Sequence, residues 1–255
     1  MPDVLVWIYA GLVGAAVGSF LNVCITRWPE GESVVSPRSR CPECGYGIGW
    51  RDNIPVVSWL ILRGRCRGCG ERISPLYPAV ELIVALVWIG ATVRYGASWQ
   101  ALAIAIFFTL LVGIAATDAR TYIIPDEFTL GGLAIGLLLA ALPGGITLVQ
   151  ALIGAAVGFG VLYATAMLGE WWLKKPAMGG GDIKMMAMVG AFLGPVGAVL
   201  TIFLGALVGS VIFLPISLKT QRLVPFGIFL AVGAAVTEGW GDILVNWYTT
   251  SILGL

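Results

Sequence analysis

Long apolar runs recur from residue 4 to the C-terminus, and they decide most of what this chain can become. A helix needs about 20 mostly apolar residues to cross a bilayer, somewhat fewer where the membrane thins. Eight runs are candidates: 4–25, 78–95, 99–117, 128–143, 147–169, 184–195, 197–217 and 224–241, of which 184–195 is the shortest. Gly194-Pro195 and Pro143-Gly144-Gly145 carry the turn signals of lumenal-type hairpins. At 58% hydrophobic and 11% charged residues, against roughly 45–50% and 25% in a soluble domain, the composition excludes an ordinary soluble enzyme. The first run has neither a basic leader nor a small-residue cleavage site and runs on into Gly18-Ser19-Phe20-Leu21-Asn22, so it reads as a retained helix.

Orientation follows from the basic residues, which collect on the cytoplasmic side of membrane helices. Eight arginines lie in the loop 27–77: Arg27, Arg38, Arg40, Arg51, Arg63, Arg65, Arg67 and Arg72. With eight spans the same side receives Arg120, Lys174, Lys175, Lys184, Lys219 and Arg222, leaving Arg94 alone opposite among 15 Lys and Arg. Span count and charge rule therefore support each other, with both termini outside and the long loop in the cytoplasm. The net charge of +1 carries no nucleic-acid footprint. With no histidine in the chain, catalysis must run on carboxylates, thiols, amines or hydroxyls.

The loop holds two CxxC pairs, Cys41-Pro42-Glu43-Cys44 and Cys66-Arg67-Gly68-Cys69, with 21 residues between them. Four thiolates so spaced suit one tetrahedral zinc ion, and Gly45 and Gly70 after each pair permit the tight turn that aims backbone N–H groups at sulfur. Two disulfides, disfavoured in a reducing cytoplasm, and a redox-active CxxC are the alternatives. A four-cysteine site leaves no open coordination position, so the metal would hold the loop rather than activate water. Cys24 lies in the first run and reads as a small core residue. Trp50, Arg51, Asp52, Asn53 and the Ser74–Pro78 exit read as a solvated face with turns, or as a site for a polar ligand.

Carboxylates at membrane depth are costly and are functional candidates by default. Asp118 ends the third run and Asp182 ends Gly179-Gly180-Gly181-Asp182, both near cytoplasmic helix ends by this topology, so they can meet. Two carboxylates together share one proton, giving a base for water and an acid for a scissile carbonyl without histidine. The three glycines would let backbone approach an extended substrate and free the segment from helical geometry. The plainer alternatives are that Asp182 caps a helix beginning at Ile183 and that Asp118 pairs with Arg120 or Lys184. Asp126 and Glu127, after Pro125, look like first-turn acids.

Taken together, these motifs resemble the type IV prepilin peptidases, the leader peptidase/N-methyltransferases of type IV pilus and type II secretion systems. The resemblance covers nearly the whole chain: Gly18–Val23 with Arg27 and Pro29, the CxxC pairs, Ser74-Pro75 with Tyr77-Pro78 and Glu81, Asp118 to Asp126, Gly179–Asp182 with Lys184, and Pro225-Phe226-Gly227. It implies that Asp118 and Asp182 are the catalytic pair, supported by Gly179, Gly180, Gly181, Lys184 and Asp126. The implied fold is an all-α polytopic membrane protein of about eight transmembrane helices with a cytoplasmic zinc-ribbon-like loop between helices 1 and 2. Residues 1–95 would form a methyltransferase-type region and 96–255 the aspartyl peptidase core, in the bacterial inner membrane.

The family's activity, carried over, is cleavage of a basic leader from prepilins or pseudopilins after glycine at the cytoplasmic face, then methylation of the new N-terminus with S-adenosylmethionine. No glycine-rich nucleotide fingerprint marks where the methyl donor binds. Glu81, at the cytoplasmic end of the second span, is the carboxylate assigned to it, the alternative being an interfacial acid paired with Arg72 or another loop arginine. Two further classes compete: an intramembrane aspartyl protease of presenilin or signal peptide peptidase type, and a proton or cation transporter with a regulatory zinc loop. The bilayer is a partner in every reading, nucleic acid in none, and the oligomeric state is left open.

Overall fold

A computed structural model describes residues 2–175, 178–220 and 225–254, with the side chains of Pro2 and 213–220 outside the description. The side chain of Lys219, and Arg222 and Val224, thus lie outside the described residues. Eight α-helices carry the described chain: α1 Pro2–Arg27, α2 Val57–Ile61, α3 Leu76–Tyr95, α4 Trp99–Thr121, α5 Asp126–Ala140, α6 Leu148–Leu173, α7 Gly180–Thr220 and α8 Phe226–Ser251. Six of these, α1, α3, α4, α6, α7 and α8, are long and apolar enough to cross a membrane. The all-helical expectation holds, and the eight apolar runs map onto them with two differences.

The run 128–143 becomes α5, only 15 residues long. The runs 184–195 and 197–217 share α7, interrupted at Gly194 with φ 71° and ψ −177°. A side chain at Gly158 of α6 would meet both Met186 and Ala198 of α7. Along a straight helix those two residues stand about 18 Å apart, so the chain doubles back at Gly194. That left-handed φ is open to glycine and closed to a bulky residue, and Pro195 cannot continue the preceding ladder.

The chain divides into two compact units, residues 1–113 and 114–255. In the first, α1 packs along α3, with Gly11, Gly14 and Gly18 set against Ile89, Trp88 and Glu81. The loop of residues 28–75 carries single 3-10 turns at Trp28–Glu30 and Trp50–Asp52, and the short α2. In the second, α7 is the hub, packing on α5, α6 and α8. Hydrocarbon offers no hydrophobic gain between helices, so close approach through small residues supplies the association. Gly154 meets the backbone of Gly190 and Gly194 in this way. The start of α6 is fastened by a capping box: Thr147 Oγ1 accepts the Gln150 N–H (3.3 Å) and Gln150 Oε1 accepts the Thr147 N–H (3.0 Å).

Gly154→Leu should therefore destabilise the second unit by about 3 kcal/mol, the upper range for overpacking, because the neighbours are backbone and cannot rotate away. Thermal unfolding in detergent reads this, with Gly160→Leu, which faces open space, as the control. Equal stability of the two variants would contradict the packing.

Candidate functional site

The second unit assembles its acidic site from three helix ends. Asp118 stands in the last turn of α4, with only 4% of its surface exposed. Its Oδ2 accepts the N–H of Ile228 at 3.1 Å, and the Gly227 N–H also meets the carboxylate, both at the start of α8. The first N–H groups of a helix have no partner within it and carry the positive end of its dipole, so a carboxylate completes that end. The approach depends on glycine: a Cβ on Gly227 would lie 2.9 Å from Asp118 Oδ2 and 2.7 Å from Ile124 Cδ1.

Immediately after Asp118 the chain turns. Tyr122, at φ 56°, leaves α4 in a left-handed conformation, its N–H still bonded to the Asp118 carbonyl at 3.0 Å. Ile124 is then buried and Pro125 precedes α5. Ile124 is the shared wall of the site, since a Cβ on Gly181, next to Asp182, would fall 2.9 Å from its Cβ. Asp182 is half-buried in the first turn of α7, its carboxylate accepting the Gly179 N–H and close enough to Asp118 for the two charges to interact. The structure thus brings the two aspartates together.

Some sequence expectations change here. The helix begins at Gly180, so Asp182 lies inside it and does not cap a helix starting at Ile183. Only Gly179 lies before the helix; Gly181 serves by leaving room for Ile124. Lys184 pairs with Asp126 and not with Asp118, its Nζ donating to both carboxylate oxygens at 2.7 and 2.8 Å. Both side chains are partly solvated, and such pairs add at most about 1 kcal/mol. The contact nonetheless ties the start of α5 to the start of α7, next to Asp182. The α8 end was missed as a partner for Asp118; its local signal is a proline and a glycine flanking one residue, Pro225-Phe226-Gly227, at the head of an apolar run.

In the first unit the four cysteines converge. Their sulfurs all lie within 4.8 Å of one another, with Cys41–Cys69 at 3.9 Å and Cys44–Cys66 at 4.0 Å. A tetrahedral ion with Zn–S bonds of about 2.3 Å sets sulfurs about 3.8 Å apart, so the set fits one such ion. The two knuckles repeat one pattern. The N–H of Cys41 meets Tyr46 O (2.9 Å) and that of Gly45 meets Cys41 O (3.0 Å); the N–H of Cys66 meets Glu71 O (2.8 Å) and that of Gly70 meets Cys66 O (2.9 Å). Gly45 and Gly70 take φ 71° and 74°, as the tight turns require.

The thiols are unequal. Backbone N–H groups of Cys69 and Gly68 favour the Cys66 thiolate and bring its pKa down to about 7. At Cys69 the Glu71 N–H favours the thiolate, but the Cys44 thiol, desolvation and the other two cysteines outweigh it and push the pKa up to about 12. A cation is what allows such a set to lose its protons together. Arg67 clips the second knuckle to the turn at Trp50–Asp52 through two short bonds from Nη2 and Nε to Asp52 (2.7 and 2.9 Å). The same guanidinium holds the Asp52 carboxyl below its usual range.

Glu81, in the second turn of α3, meets no arginine among the described ion pairs. Its Oε2 accepts the Val56 N–H at 2.7 Å. Val56 has φ 61°, rare for a β-branched residue, and closes a three-residue turn in which the Val57 N–H reaches Pro55 O at 2.6 Å. Asn22 of α1 donates to Tyr77 O at 3.0 Å, fastening the end of the loop to the first helix.

Comparison with known proteins meets this geometry at both sites. Residues 12–95 match the Bacterial Peptidase A24 N-terminal domain and residues 105–214 match the Type IV leader peptidase family. The chain is 36% identical over 280 residues to the Prepilin leader peptidase/N-methyltransferase of Aeromonas hydrophila, covering 98% of this chain and 97% of the relative. It is 36% identical over 249 residues to the Type 4 prepilin-like proteins leader peptide-processing enzyme of Escherichia coli O78:H11 (90% and 92%). To the Prepilin leader peptidase/N-methyltransferase of Bacillus subtilis it is 32% identical over 250 residues (95% and 98%). No solved structure matches the chain.

Proposed function

Because the chain belongs to the type IV leader peptidase family, we propose that it is a bacterial membrane enzyme that removes the leader from prepilins or pseudopilins and methylates the N-terminus so exposed. The observation that carries the peptidase half is the meeting of Asp118 and Asp182 at three helix ends. One carboxylate takes a proton from water as the oxygen attacks the scissile carbonyl, while its protonated partner hydrogen-bonds the carbonyl oxygen. Collapse of the tetrahedral intermediate breaks the C–N bond, and the departing amine takes up a proton. Both aspartates are assigned as catalytic. Gly227 and Ile228 orient Asp118; Gly179 and Gly181 orient Asp182; the Lys184–Asp126 pair holds the two segments together.

Arg120, Lys174, Lys175 and Lys184, the basic residues of this unit's own helix ends, favour the cytoplasmic face for this site, where a leader can be cut from an apolar stem held in the bilayer, after the glycine that family resemblance implies. Methyl transfer is assigned to residues 1–95, with Glu81 as the carboxylate of that region, and the peptidase to 96–255. Zinc is the ion we assign to Cys41, Cys44, Cys66 and Cys69, on the fit of the sulfur spacings; it supplies a structural crosslink. S-adenosylmethionine, when bound, supplies an electrophilic methyl group.

The intact mass of a prepilin peptide incubated with the detergent-purified enzyme and S-adenosylmethionine tests the reading. Loss of the leader mass and gain of one methyl are expected; an uncut peptide overturns the peptidase, and a cut but unmethylated one overturns the transferase. Gly227→Ala should slow cleavage by about 100-fold, the cost of displacing a reacting group by about 1 Å, while Gly239→Ala, open to space on the same helix, should not. Rates within twofold of each other would detach α8 from the site.

A further inference from the structure

Three of the membrane-length helices, α1, α3 and α4, line a cavity of about 490 Å³, within the size range of small-ligand sites. Its walls include Ala10 and Val13 of α1, Trp88 and Thr92 of α3, and Ala101 and Ala105 of α4. It lies at the end of these helices away from the cysteine loop, beside the short connection 96–98. Among the described residues α1 packs along α3, whereas α4 comes less close to either, and the alanines leave the gap open. Ala105 and Trp88 lie about 10 Å along their helices from Trp99 and Tyr95. The cavity therefore reaches roughly a third of the way into a hydrocarbon core of about 30 Å.

Water has no footing there. No charged residue lines the cavity, and its inner polar groups are already engaged. The Trp88 Nε1–H donates to Thr109 Oγ1 (3.1 Å), Thr92 Oγ1 donates to the Ile89 carbonyl (2.9 Å), and Ser98 Oγ accepts the Ala101 N–H (3.1 Å). A buried water needs two to four polar partners, while an empty gap forfeits the dispersion contacts of both walls. Nor can the walls close readily. Trp88 is pressed on α1 at Gly14, where a Cβ would lie 2.8 Å from its own Cβ, and its ring is tied to α4 through Thr109. The apolar material that a bilayer supplies at this depth is an acyl chain.

A charge marks where the rest of such a molecule would sit. The Arg94 guanidinium lies over the Tyr95 ring, 5.2 Å from its centroid, and Tyr95 packs against Ala101 and Ala105 of the cavity wall. Arg94 is exposed and forms no ion pair among the described residues. Tyr9 and Trp99, 71% and 52% exposed, stand in the same lining and suit the boundary between tails and headgroups. We propose that the cavity seats one acyl chain of a phospholipid whose phosphate is held by Arg94. Guanidinium meets phosphate through paired N–H bonds, and the tail fills the space between α4 and the α1–α3 pair.

The test is native mass spectrometry of the full-length protein in detergent, titrated with dioleoylphosphatidylglycerol. Arg94→Gln, which loses the charged pair, and Ala101→Phe, which fills the cavity, should each raise the Kd of the first bound lipid by about tenfold. Leu12→Phe, at an exposed position of α1 outside the cavity, should leave it unchanged. Arg94→Gln should also leave unchanged the binding of dioleoylglycerol, which has the same tails and no phosphate. A change of twofold or less in either test variant overturns the site, and so does an equal loss of both lipids in Arg94→Gln. Should Ala101→Phe fail to fold, phosphatidylglycerol carrying a diazirine at one chain end decides on the wild type. Crosslinks within residues 101–105, none of which is openly exposed, support the cavity, and their absence there overturns it.

Discussion

Asp118→Asn and Asp182→Asn should each lower the rate of prepilin cleavage by at least about a thousandfold, within the range that general acid–base groups contribute. Asparagine keeps the size of aspartate and can still accept the Ile228 N–H through its amide oxygen, so the helix ends should stay in place. What disappears is the ability to exchange a proton with water. The double variant should be no worse than either single one, because two groups acting as a unit give strongly non-additive losses. Thermal unfolding of each variant separates a chemical defect from a folding defect. A precleaved peptide should still be methylated by both, since that step is assigned to the other unit. Retention of more than about a tenth of wild-type cleavage by either variant would remove that residue from the chemistry.

Each local signal in the chain reports a different part of this site. Apolar runs reported helices well, because a backbone in hydrocarbon must satisfy its own hydrogen bonds. They reported lengths less well: α5 is only 15 residues, and the break inside α7 is marked only by Gly194-Pro195. The cysteines were legible because ligand spacing is a local property of two turns. The aspartates were legible one at a time, each at a helix end. That α8 supplies the N–H groups meeting Asp118, and that Ile124 separates the two glycine approaches, are tertiary facts with no local signature. The choice of Asp126 as the partner of Lys184 is equally a matter of where α5 begins. A cavity between the knuckles was out of reach for another reason: its lining runs from Arg40 to Tyr77 and becomes a surface only once the two turns are drawn together.

That drawing together is the basis of the other large effect, expected from removing one zinc ligand. The 28–75 loop has little else to hold it. Cys41, Ser58 and Gly64 are its buried residues among those described, and its helical content is one five-residue helix and two single turns. A segment this poor in core depends on crosslinks, and a structural zinc site supplies about 10–16 kcal/mol of apparent binding free energy that becomes folding free energy. Cys66→Ser should therefore reduce bound zinc from one ion per chain to nearly none. It should also open the loop to trypsin at the arginines between Arg38 and Arg72, raising the cleavage rate of that segment at least tenfold. Because methyl transfer is assigned to the unit that carries this loop, methylation should fall much further than prepilin cleavage, whose aspartates lie in the other unit. Removing zinc from the wild type with a chelator should give the same three changes, and adding it back should reverse them. Full zinc occupancy with unchanged trypsin resistance in Cys66→Ser would show that the loop is held by something other than the four sulfurs.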